Sequence, residues 1–109
     1  MIRIIALHGF PDDPDEYQRY YREVHIPLVR SIPGVRNIRF GQALKTLDGG
    51  RPLYYLVSDV YFDDMASLEA ALASPEMDEA IADVPKFASG GVTIMLCESE
   101  DVEPIMRGD

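Results

Sequence analysis

The chain has 109 residues, ten Lys and Arg against nineteen Asp and Glu, a formal net charge of −9, and 47% hydrophobic residues. That length makes a single domain, and ten scattered cations exclude a nucleic-acid surface, which needs clustered Lys and Arg. No run of about 18 apolar residues exists to cross a membrane, and the lone Cys97 and two histidines give neither an intrachain disulfide nor a zinc-ligand spacing.

Ile2 to His8 reads as a strand that is apolar on both faces, hence a central one. The segment Met1–Leu7 is too short and too strand-like for a secretory signal, so the expected location is cytoplasmic. Gly9-Phe10-Pro11-Asp12 breaks the strand. Asp13 then caps a helix with Pro14 at its first position and Glu16 completing an Asp-x-x-Glu capping box. At about 100° per residue, Tyr17, Tyr20, Tyr21, Val24, Leu28 and Ile32 fall on one face. Pro27 removes one intrahelical bond, so a kink or a tightened last turn is expected there, and Pro33-Gly34 ends the helix.

Val35 to Leu44 is the second predicted strand, with Ile38, Phe40 and Leu44 alternating against Asn37, Arg39 and Gly41. Asp48-Gly49-Gly50 marks a turn inside a longer connection. Tyr54 to Phe62 is the third strand. Asp63 or Asp64 caps a short helix carrying Met65, Leu68, Ala71 and Leu72, and Ser74-Pro75-Glu76 opens another with Met77, Ile81 and Val84 inward. Val92 to Glu98 is the last strand. The order is β-α-β-β-α-β, an α+β ferredoxin-like split arrangement with a four-stranded antiparallel sheet and helices on one face. Residues 1–98 form this domain, and residues 99–109 form an acidic tail with Val102, Ile105 and Met106 as its anchors. The other sheet face carries Ile5, Leu7, Val57, Thr93 and Met95, too much apolar surface to leave in water. Face-to-face pairing of two copies into a homodimeric α+β barrel follows.

A helix stripe built from tyrosines is chemically unusual, because a buried phenol must find a hydrogen-bond partner. Packing accounts for Tyr17, Tyr20 and Tyr21, but so does a lining of hydroxyls for a cleft between helix and sheet. His25 falls at the edge of this stripe, half buried, one turn after Tyr21. As a neutral imidazole it can take a proton from a bound compound, or it can serve as a helix-end histidine bonded to a carbonyl. Tyr55, Asp59 and Tyr61 share a face of the third strand beside Arg39, a possible polar lining whose side of the sheet alternation does not decide. His8, at the strand end, is placed roughly 15–20 Å from His25 by the helical rise, which argues against a shared metal. Cys97 reads as a small buried hydrophobe with no cation nearby in sequence.

The succession Tyr17…Tyr20-Tyr21…His25-x-Pro27-Leu28-Val29, Ile32-Pro33-Gly34, then Tyr61-Phe62-Asp63…Leu68…Ala70-Ala71-Leu72-Ala73-Ser74-Pro75-Glu76 and Ala82-Asp83…Phe87, resembles the EthD family of dimeric α+β barrels. The resemblance runs from Ile4 to about Cys97. It implies a homodimer and a ligand between helix and sheet, where His25 points. It also implies a catabolic activity of oxidoreductase (monooxygenase-like) or isomerase type on a small hydrophobic carbonyl or phenolic compound. That activity needs no cofactor and no metal. On this reading His25 is the general base, and Tyr17, Tyr21, Tyr61, Arg39 and Asp59 line the substrate. The alternative is a non-catalytic homodimer that carries a hydrophobic metabolite.

Overall fold

The structure, a computed structural model, describes residues 1–103. The predicted tail anchors Ile105 and Met106 lie outside the described residues. Four strands, β1 (Ile2–His8), β2 (Asn37–Gln42), β3 (Leu56–Phe62) and β4 (Val92–Glu98), form one sheet in the order β2-β3-β1-β4. Every neighbouring pair is antiparallel. β1 is thus interior, as its doubly apolar pattern predicts. Because side chains alternate along a strand, the register sends Ile4, Ala6, His8, Ser58, Val60 and Ile94 to the helix side. Arg3, Ile5, Leu7, Val57, Asp59, Tyr61 and Met95 go to the uncovered side.

The first helical segment comes in three pieces: α1 (Pro14–Tyr20), a π-helical turn (Tyr21–His25) and α2 (Ile26–Arg30). Asp13 caps α1 by accepting from the Glu16 amide at 3.2 Å. The Glu16 carboxylate, however, turns to Arg19 rather than closing the predicted box. Pro27 acts differently from the expected kink. In a regular α-helix its ring would strike the carbonyl four residues back; the chain widens instead, and the Ile26 amide bonds the Tyr21 carbonyl five residues earlier. The extra residue rotates everything after Tyr21. Val24 and Leu28 become half-buried, while His25, Ile26 and Val29 turn fully inward.

α3 (Met65–Leu72) starts at Asp64, whose carboxylate accepts from the Ser67 amide at 2.8 Å. Asp63 pairs instead with Arg36 at 3.0 Å. α4 (Pro75–Phe87) is capped by Ser74. Its inward stripe is Met77, Ala80, Asp83 and Phe87; Ile81, predicted inward, is 53% exposed. Ile2, Phe62, Leu68, Ala71 and Met77 form the main core. A second cluster, largely aromatic, gathers Tyr17, Tyr21, Tyr55, Leu56 and Phe87 at the His8 end of the sheet.

β2 and β3 are shorter than predicted. Leu44 is 87% exposed in the connection after Gln42, where Gly49 takes a φ of +88° inside a turn closed by Thr46. Gly9 and Gly90 let the β1 end and the turn before β4 touch: a Cβ built on Gly90 would lie 2.4 Å from the Phe10 carbonyl oxygen. This contact fixes the loop that launches α1 over the sheet.

Candidate functional site

The helices and the sheet enclose a cavity of about 90 Å³ whose walls are mostly aliphatic. The residues lining it that carry polar side chains are His8 of β1, Ser58 of β3, and Tyr21 and His25 of the π-helical turn. Ile81 of α4 and Ile94 of β4, each about half exposed, are among its lining residues. An apolar cavity with a few convergent polar groups is the usual form of a small-molecule site.

His25 is buried at 7% exposure, deeper than the half-buried edge position expected, because the π-helical turn carries it inward. Its Nδ1 lies 3.0 Å from Oδ2 of Asp83, itself 3% exposed on α4. The Tyr20 hydroxyl donates to the other oxygen, Oδ1, at 2.6 Å. A carboxylate accepts and does not donate, so Asp83 holds the proton of neutral His25 on Nδ1. Nε2 then carries the lone pair, and it has no hydrogen-bond partner among the described residues. Burial pushes the His25 pKa below its ordinary value, and the Asp83 carboxylate pulls it partly back. The arrangement is a neutral base with a fixed tautomer. Its protonated form would be stabilised by a buried carboxylate, the role an aspartate takes behind a catalytic histidine.

On the other wall, His8 is 2% exposed. Its Nδ1 bonds the Tyr17 hydroxyl, and its Nε2 lies 3.3 Å from Ser58 Oγ. The Tyr21 ring stands edge-on to His8 at 5.5 Å and tilted to His25 at 5.6 Å, with Phe87 touching both imidazoles. The two histidines therefore share one cavity, against the expected separation. The five-residue loop Gly9–Asp13 overshoots the strand end, so Tyr17 rather than Pro14 stands over His8. That removes roughly 5 Å of helical rise, and the side chains converge over the rest.

Burial, reinforced by the nearby His25, lowers the His8 pKa to about 4. The consequence for stability has a definite sign. Below pH about 6.5 the unfolded chain protonates His8 while the folded chain refuses the proton down to about pH 4. Stability is complete above that window and falls through it as pH drops, by at most about 3 kcal/mol from this group. His25, also shifted down, acts in the same direction. Urea denaturation midpoints should therefore drop between pH 7.5 and 5, and His8→Gln should flatten the slope; an unchanged slope in that variant would contradict a neutral buried His8.

Tyr17 (3% exposed) and Tyr21 (2% exposed) line this end of the molecule. Burial raises both phenol pKa values, so each keeps its proton. Tyr61, Arg39 and Asp59 are placed elsewhere: they lie on the uncovered sheet face, separated from the cavity by the sheet itself. There Arg3 pairs with Asp59 at 3.2 Å, and Arg3 and Arg39 both stack over Tyr61. Tyr55 departs from their face and joins the aromatic cluster beside Tyr17, accepting from Gln18 at 2.9 Å. Cys97 does have a cation nearby, Arg3 Nη2 at 3.6 Å, supplied by strand pairing rather than by sequence proximity.

Sequence reasoning gave no role to Asp83, His8 or Ser58. Asp83 was signalled by being a lone acid on the apolar stripe of α4, since ionisable residues are seldom fully buried unless paired. His8 and Ser58 were signalled by parity, each sharing an inward face with apolar neighbours. Among the described residues no group of three His, Cys, Asp or Glu could hold a metal ion, and no helix is long and apolar enough to cross a membrane.

Residues 11–91 match the EthD domain family. The chain is 39% identical over 104 residues to an 11.0 kDa protein of the thcB-thcC intergenic region of Rhodococcus erythropolis, covering 95% of this chain and all of that one. An EthD family protein of Bacillus halodurans superposes with a TM-score of 0.84 at 32% identity, covering 92% of this chain and 99% of that one. A dimeric ferredoxin-like protein of Thermobifida fusca superposes at 0.62 with 22% identity over 88% of each chain, a likeness of fold.

Proposed function

From the premise that this chain belongs to the EthD family, we propose that it is an enzyme acting without a bound cofactor on a small apolar carbonyl or phenolic compound, with His25 as general base. One observation carries this reading: the Nδ1 of His25 is tied to a buried carboxylate while its Nε2 is left unpartnered in an apolar cavity. A plain core histidine would have both nitrogens satisfied. The base removes a proton from the bound compound. The enolate or phenolate so formed rests its charge against the Tyr21 hydroxyl, and aliphatic walls keep water from quenching it. Return of the proton at another carbon gives isomerisation; attack of the carbanion on dioxygen gives oxygenation. Both begin with the same step.

The working unit in this proposal is a homodimer. The uncovered sheet face carries Ile5, Leu7, Val57 and Met95 around the Arg3–Asp59 pair, and stacking two such faces removes the apolar surface from water. A sedimentation mass of one chain would contradict this part.

The test is a thermal-shift screen of wild type and His25→Ala against small lactones, quinols, phenols, ethers and haem. A compound that raises the melting temperature of wild type and not of the variant supports the proposal. Equal shifts would make His25 structural and favour a carrier of hydrophobic metabolites.

A further inference from the structure

We propose that Tyr20 is a positioning residue for His25: its hydroxyl holds the Asp83 carboxylate by one oxygen, so that the other is left to His25 Nδ1 and the imidazole lone pair is kept toward the cavity. Its catalytic meaning rests on the reading of His25 as base; the hydrogen bonds stand on their own geometry.

Tyr20 is not among the residues that line the cavity. It borders an outer cleft with Pro11, Lys86 and Ser89, its ring stacked on Phe87 at 5.3 Å. Its reach into the site is therefore through the hydroxyl, which lies 2.6 Å from Asp83 Oδ1. That is the spacing of a hydroxyl donating to an ionised carboxylate, and an ionised carboxylate only accepts. The carboxylate also pushes the Tyr20 phenol pKa above its ordinary value, so the phenol keeps the proton it donates. The two oxygens of the buried Asp83 are thus divided, Oδ1 to Tyr20 and Oδ2 to His25 at 3.0 Å.

The π-helical turn makes this grip possible. At 100° per residue, positions five apart stand about 140° from each other on a helix. A turn closed by bonds to the fifth residue brings such positions nearly over one another. Tyr20, at the end of α1, and His25, at the end of the turn, therefore reach the same carboxylate on α4. A carboxylate bonded to His25 alone is free to pivot about its last torsion, which is a soft one. The second bond pins it. The titratable groups about this pair are Tyr20 and Tyr21 of the first helical segment and His8 of β1; Arg19, next to Tyr20, is occupied by Glu16 and Glu23.

An amide at position 83 makes the grip readable. In Asp83→Asn the Tyr20 hydroxyl takes the amide oxygen, the NH₂ faces Nδ1, and the imidazole proton moves to Nε2. Tyr20→Phe keeps the ring on Phe87 and removes only the donor. With both changes the amide turns its oxygen to Nδ1–H, which spares the apolar cavity an unpaired Nε2–H. Nitrogen-15 NMR at pH 7.5 should place the His25 proton on Nδ1 in wild type and Tyr20→Phe, on Nε2 in Asp83→Asn, and on Nδ1 again in the double variant. A proton that stays on Nε2 in the double variant, or never leaves Nδ1 in Asp83→Asn, would overturn the proposal. In Tyr20→Phe alone the carboxylate loses its competing donor, so the His25 pKa should rise by about half a unit, a fraction of what an adjacent opposite charge gives; an unchanged or lowered value would also overturn it. Deuterium uptake into a small enolisable ketone should be lost in Asp83→Asn and recover about 10²-fold in the double variant, the low end of a positioned base. The expected tautomers without uptake by any of the four proteins would remove the base reading and leave the grip of Tyr20 on Asp83 standing.

Discussion

Asp83→Asn is expected to lower turnover of a cognate compound about 10³-fold, within the range of losing a positioned base, while leaving the melting temperature nearly unchanged. The substitution is isosteric, but the amide has one acceptor and one donor where the carboxylate has two acceptors. Where the Tyr20 hydroxyl keeps the donor role it has toward Oδ1 in the wild type, it claims the amide oxygen. The NH₂ then faces His25 Nδ1, which must turn acceptor, and the imidazole proton moves to Nε2. The nitrogen facing the cavity no longer has a lone pair. Loss of activity with an intact fold, together with a switched His25 tautomer by nitrogen-15 NMR, is the expected result. Full activity in Asp83→Asn would remove the carboxylate from the mechanism.

Phe62→Ala should destabilise the fold by about 3–5 kcal/mol, measured by urea denaturation, because truncating a fully buried aromatic loses its transfer energy and leaves a cavity. Phe62 is 0% exposed and meets Leu68, Ala71 and Met77, the residues that seat α3 and α4 on the sheet. Domains of this kind hold about 5–15 kcal/mol in all, so the variant should sit near its unfolding threshold. It should also bind compounds poorly, since α4 carries Asp83. A loss below about 1 kcal/mol would mean that this core does not set the position of α4.

Hydrophobic period was enough to read the element order, the interior place of β1 and the helix-covered layer, because β1 and β3 carry alternating residues of one parity to the helices. The capping residues Asp13 and Ser74 were legible for the same reason, each presenting a carboxylate or hydroxyl just before an apolar repeat, while the α3 cap was narrowed to Asp63 or Asp64 and the structure takes Asp64. The site was legible in part. Tyr17, Tyr21 and His25 are on one helical stripe at 100° per residue, but the full burial of His25 depends on the π-helical turn before Pro27, and a uniform angle cannot express an inserted residue. Asp59 and Tyr61 were ambiguous because β3 is apolar on both faces, with Val57 on theirs and Leu56 and Val60 on the other, and Arg39 shares their side through the register with β3. His25 and Asp83 lie 58 positions apart, and nothing local announces a contact between two helices. His8 was misplaced by treating the helix as starting directly above the strand end, when the Gly9–Asp13 loop carries it beyond.

The most direct measurement of the central claim is proton NMR of deuterium uptake from D₂O into small enolisable ketones and lactones, with wild type and His25→Ala side by side. Exchange at the carbon beside the carbonyl that wild type accelerates and His25→Ala does not is the predicted result. Exchange at the same rate with both proteins would contradict His25 as the base.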